Sequence, residues 1–104
     1  MIIVTTDFVV GKTVARTIGL VKGNTIQSRH VGKDIRAGLK SIVGGELDDY
    51  TEMLASARDE AIARMVADAE AQGANAIIGM RLATSMIMQS ASEVLAYGTA
   101  VVLE

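Results

Sequence analysis

Between residues 47 and 72 the apolar side chains recur every third or fourth position: Leu47, Tyr50, Leu54, Ala57, Ala61, Met65 and Ala69. That spacing places them on one face of an α-helix, and Met53, Ile62 and Val66 widen the stripe. Glu46, Asp48, Asp49 and Glu52 crowd its first turns, where negative charge meets the positive end of the helix dipole. Gly73 stands where a helix stop is expected. The pattern predicts a helix from about Leu47 to Gln72, with a broad apolar face that must be buried against something.

The rest of the chain supplies strands. Ile2 to Val4 is a short β-prone start. Lys12 to Val21 is rich in Val, Thr and Ile and reads as a strand, with Gly23-Asn24 as a bulge or turn. From Asp34 the period changes, and Ile35, Leu39, Ile42 and Val43 predict a short helix that Gly44-Gly45 breaks. Ala76 to Thr84 and Glu93 to Leu103 read as two strands of a hairpin, with Ser85 to Ser92 as its loop. The predicted order is β-β-α-α-β-β. The fold class is α+β: a small antiparallel sheet packed by one long and one short helix, in a single domain over residues 1–104.

Composition narrows the partners. Half of the 104 residues are apolar but only three are aromatic, so the core is built from Ala, Val, Ile, Leu and Met. The net charge of −2 gives no reason to expect a nucleic-acid or acidic-membrane partner. There is no cysteine, which removes disulfides, thiolate metal sites and cysteine nucleophiles together. The start, MIIVTTDF, lacks the basic and apolar regions of a signal peptide, and no apolar run approaches the ~20 residues of a membrane helix. A cytoplasmic protein is expected.

TDFVVGKT, residues 6–13, is one residue short of a phosphate-binding P-loop: Gly11-Lys12-Thr13 are correctly spaced, but Thr6 replaces the first glycine. A P-loop needs glycine-rich backbone and must open into a helix. Here the interior is Asp7-Phe8-Val9-Val10, and the continuation TVARTIGLV is a strand pattern. The stretch reads as a glycine turn entering a strand.

Other chemistries find few residues to use. His30 is the only imidazole, and it lies between Arg29 and Lys33, whose charge repels a cation. Met86 and Met88 could offer thioethers to Cu(I), but methionine ordinarily fills apolar gaps. Asp48 and Glu52 share a helix face, as acids near a helix start ordinarily do. Glu46 and Tyr50 are four apart with Arg58 two turns beyond, either a polar pocket or a network anchoring the helix. No serine or threonine has a base in sequence context, so no catalytic residues are assigned and a non-enzymatic protein is expected.

If Arg81 lies opposite Glu93, one face of the closing hairpin holds Ile78, Met80, Leu82, Val94, Ala96, Gly98, Ala100 and Val102, small enough at its centre for a helix to pack close. The other holds Ile77, Gly79, Arg81, Ala83, Leu95, Tyr97, Thr99 and Val101, too apolar to face water across its width. Covering it calls for another subunit, so a homo-oligomer is expected.

VTT near the start, VKGNTIQSR, GKDIRAGLKSIVGGE, YTEMLASARDEA, GANAIIGMR and AYGTAVVLE follow in order along the chain. Together they resemble the YbjQ-like family of small bacterial and archaeal proteins of unassigned function. The resemblance implies a dodecin-like fold and a closed homo-oligomer, most often a pentamer. The family's label names heavy-metal binding. The hairpin here reads Ser85-Met86-Ile87-Met88, with Met86 where the family pattern has an acidic residue.

The functional expectation is a homo-oligomer that binds a small ligand or metal ion between subunits, with Glu46, Tyr50, Arg58, Arg81 and Glu93 as candidate ligand-binding residues. The alternative is a structural or adaptor ring whose partner is another protein. No residue pattern names a cofactor. Without thiolates, and with one histidine among cations, calorimetric titration with Zn²⁺ and anaerobic Cu(I) is expected to show nothing tighter than about micromolar. Stoichiometric binding well below that range, abolished by His30→Ala or Met86→Ala, is the contrary result.

Overall fold

A computed structural model of the protein describes residues 1–28, 46–89 and 91–104, and for residues 28 and 46–50 the backbone alone. The described elements are β1 (Ile2–Ile3), β2 (Val14–Ser28), α1 (Glu46–Ala71), β3 (Ala76–Met88) and β4 (Ala91–Leu103). The long helix lies where the periodicity predicts it, within one residue at each end. The expected short helix from Asp34 to Val43 lies outside the described residues.

The four strands form one sheet in the order β1-β3-β4-β2. β4 is central and antiparallel to both β2 and β3. The sheet is mixed rather than antiparallel throughout, because β1 runs parallel to β3, with Ile2 beside Ala76 and Ile3 beside Ile77. A parallel neighbour needs a crossover. Here it runs through β2 and α1, and residues 4–13 are its first leg, passing from the β3 edge to the β2 edge across the face opposite the helix. There Val9 packs on Ala76, Val101 and Leu103. Reciprocal bonds between Thr13 and Glu104 dock its far end beside β4.

β2 runs on to Ser28, seven residues past the predicted end, without a bulge at Gly23-Asn24. Its irregularities fall earlier, between Val14 and Arg16 and between Thr17 and Gly19. Gly23 has a different use. A Cβ there would fall on the Ala61 carbonyl oxygen and the Met65 amide nitrogen, and 2.7 Å from Arg64 Cβ. The helix backbone rests on the strand at this point, and only glycine leaves room.

Around that contact Ala57, Ala61, Met65 and Ala69 of α1 are buried with Val21, Val94, Ala96, Ala100 and Ile77 of the sheet. The small residues let helix and sheet approach, and Met65 fills the remaining gap. Thr25 is the one buried polar side chain among the described residues. Its hydroxyl donates to the Ala57 carbonyl at 3.2 Å, so it is satisfied.

The hairpin corrects the expected register. Arg81 faces Tyr97, not Glu93, and Glu93 faces Ser85. The pairing extends to Met88 and Ala91, so most of the expected loop is strand. The displacement from Glu93 to Tyr97 is four residues. Because that number is even, Leu82 and Ala83 keep their predicted faces. Ile77 and Ile78 do not. Between Ile78 and Arg81 the strand carries one extra residue, with Gly79 at φ 62°, and this bulge inverts the facing on its far side. Ile77 therefore joins the helix-side core, and Ile78 packs on the opposite face.

Two substitutions test the close contact. Ala61→Leu adds volume at a fully buried site and is expected to cost about 1–3 kcal/mol. Gly23→Ala is expected to cost at least as much, because its methyl meets helix backbone, which cannot rotate away. Denaturant unfolding of the two variants and wild type measures both. An unchanged midpoint for either would mean the helix stands off the sheet.

Candidate functional site

The face of the sheet opposite α1 carries polar and apolar side chains side by side. Cross-strand pairing arranges them in rows: Leu20, Thr99 and Ile78; Lys22, Tyr97 and Arg81; Asn24, Leu95 and Ala83; Ile26, Glu93 and Ser85. Residues 4–13 cover only the end near Val101 and Leu103. Leu20 and Ile26 remain 67% and 57% exposed.

Arg81 and Glu93 both stand on this face, but each bonds elsewhere. Arg81 Nη1 donates to the Thr5 carbonyl at 2.8 Å and to its neighbour Met80's carbonyl at 2.9 Å, tying the N-terminal segment to β3. Glu93 accepts from Asn24 Nδ2 at 3.1 Å, joining β4 to β2. Of the helix-start group, Arg58 is half-buried on α1, and the side chains of Glu46 and Tyr50 lie outside those described. The Glu46, Tyr50 and Arg58 group, read as either a polar pocket or an anchoring network, therefore lies for the most part outside the described side chains. His30 also lies outside the described residues.

The row Lys22-Tyr97-Arg81 is new. Neighbouring strands lie about 4.8 Å apart, so the two cationic residues stand roughly 10 Å from each other with a phenol between them. Such a row suits an anionic or strongly polar group. Nothing in the linear sequence brings these three residues together, since the row depends on the register of two strand pairs.

The near P-loop is a turn. Lys12 N–H donates to the Val9 carbonyl at 3.1 Å, Gly11 takes φ 81°, and β2 follows, as the strand-pattern reading expects. For metals, no three His, Cys, Asp or Glu side chains among the described residues come together as a ligand set. Met86 and Met88, at 74% and 62% exposed, are surface groups on β3. The described donors do not fit a heavy-metal centre.

Among the described residues no helix is long and apolar enough to cross a membrane. The chain matches over residues 1–104 the model of a family described as "Putative heavy-metal-binding". It is 60% identical over 104 residues to a UPF0145 protein of Dehalococcoides mccartyi, covering all of both chains. It is 61% identical to a UPF0145 protein of Clostridioides difficile, covering all of this chain and 93% of that one. A UPF0145 protein of the archaeon Methanosarcina acetivorans is 56% identical over 101 residues, 97% of this chain and 95% of that one. The fold is similar to the crystal structure of a protein of unknown function, of the DUF74 family, from Pediococcus pentosaceus. There the TM-score is 0.70 at 19% identity, over 100% of this chain and 98% of the other. A match along the whole length at this identity establishes that the chain belongs to the YbjQ-like, UPF0145 family.

Proposed function

We propose that this chain works as a non-enzymatic homo-oligomer, with a dodecin-like protomer whose outer sheet face is covered by neighbouring copies. A small polar or anionic ligand would bind at the boundary between copies. The observation that carries the reading is the exposed apolar surface. Leu20 and Ile26 on the outer face, and Leu82, Met86, Ile87 and Met88 on β3, are each at least 40% exposed. Burying such a side chain fully is worth about 1.5–3 kcal/mol, a strong drive toward association.

The count of five follows the family resemblance alone.

Arg81, Glu93 and the Lys22-Tyr97 pair are the polar groups that a covering subunit would enclose. The metal reading has less support, since the described donors lack thiolate, imidazole or clustered carboxylate. Native mass spectrometry of protein purified without added metal, followed by elemental analysis, tests both parts. A multiple of the 10.9 kDa protomer carrying a non-metal adduct is expected. A monomer would overturn the oligomeric reading, and a stoichiometric metal would overturn the choice of ligand class. An oligomer of bare protein mass would favour the adaptor ring instead.

A further inference from the structure

The sheet's two outer edges are treated differently. At β2, the Lys22 N–H is capped by Asp68 Oδ2 at 3.3 Å, and the Asn24 carbonyl by Arg64 Nη1 at 2.6 Å. Arg64 is itself held by Glu60 at 2.7 Å. Helix side chains thus block the middle of that edge, one of the ways proteins prevent unwanted strand pairing.

The β3 edge has no such guard among the described residues. β1 pairs with Ala76 and Ile77, and the next bonds along this edge end at Met80. Beyond it every residue from Arg81 to Gln89 is exposed. Leu82 to Met88, LATSMIM, carries no charge and no proline.

Which backbone groups point outward follows from strand alternation. Lys22 and Asn24 aim theirs away from β4, as their helix caps require. Their partners Tyr97 and Leu95 must then aim toward β3, where they meet Arg81 and Ala83. The intervening residues Leu82, Thr84 and Met86 present their N–H and C=O groups outward. A long, apolar, uncharged edge of this kind is a template for strand addition.

We infer that β3 from Leu82 to Met86 is the joining edge of the oligomer: an extended segment of a second copy adds there by backbone pairing, through the outward groups of Leu82, Thr84 and Met86. This rests on the oligomeric reading above and specifies its contact. The second copy is the occupant because the edge from Leu82 to Met88 carries no charge to select a charged partner, and the exposed Leu82, Met86, Ile87 and Met88 beside it offer an apolar contact that an identical strand can return.

Proline separates the two claims. At Thr84 it removes an outward N–H, which an edge strand tolerates, while it blocks an added strand. Thr84→Pro is expected to lower the mass seen by light scattering from the assembly to 10.9 kDa, with the wild-type far-ultraviolet circular dichroism retained. Ala83→Pro, which removes an inward N–H, is expected to lose that spectrum. If Thr84→Pro keeps the wild-type mass, the edge assignment falls while the oligomer stands. If wild type is itself a 10.9 kDa monomer, both fall. Should Thr84→Pro misfold, residue-resolved hydrogen exchange on the wild-type assembly decides. The Leu82, Thr84 and Met86 amides are expected to be as slow as Ala83 and Ser85, and fast exchange at those three alone would overturn the inference.

Discussion

Everything in the described fold is arranged around the place where α1 rests on β2. At Gly23 there is no side chain between strand and helix backbone, and Ala61 and Met65 lie directly against it. That contact sets the separation of helix and sheet. Val21 and Thr25, on the same face of β2, therefore reach the helix, with the Thr25 hydroxyl held by the Ala57 carbonyl. The small residues Ala96, Gly98 and Ala100 on β4 continue the low surface. A thin core of this kind forgoes large aromatic burial and depends on fit, since packing at interior density gives every added methylene a cost.

The same arrangement determines what is left over. The helix lies over β2 and β4 and reaches β3 only near Ile77 and Met80. The outer part of β3 thus extends beyond its cover, and its side chains on both faces are exposed. On the opposite face, residues 4–13 cross only one end of the sheet. The guarded β2 edge and the open β3 edge are consequences of the same placement: α1 stands close enough to β2 for Asp68 and Arg64 to reach its backbone, and too far from β3 to do the same. An exposed face and an edge with no guard among the described residues are what the proposed contact between copies would use.

Much of this was legible in the sequence. The helix and its buried alanines followed from a period of three to four residues, because a helix face is fixed by spacing alone. The faces of Leu82, Ala83, Ala96 and Tyr97 followed from alternation. Arg81 opposite Glu93 did not survive, because opposite charge is a weak guide to register when backbone pairing and apolar contacts set it. The side-chain facing of Ile77 and Ile78 failed at Gly79, where a one-residue bulge leaves no mark in the apolar pattern. Gly23 looked like a break in the strand, since a glycine required for close approach and one required for a turn are identical in sequence.

The sequence by itself determined the helix, the strand-rich remainder, the absence of thiol chemistry and the surplus of apolar residues. These depend on local period and on composition, which carry no information about distant partners. Only the tertiary structure decided that β1 joins in parallel, that Lys22, Tyr97 and Arg81 form a row, and that one edge is capped while the other has no cap among the described residues. Each of these requires residues far apart in the chain to meet, and the register of those meetings is set by packing around β4 and Gly23 rather than by any single segment's preference.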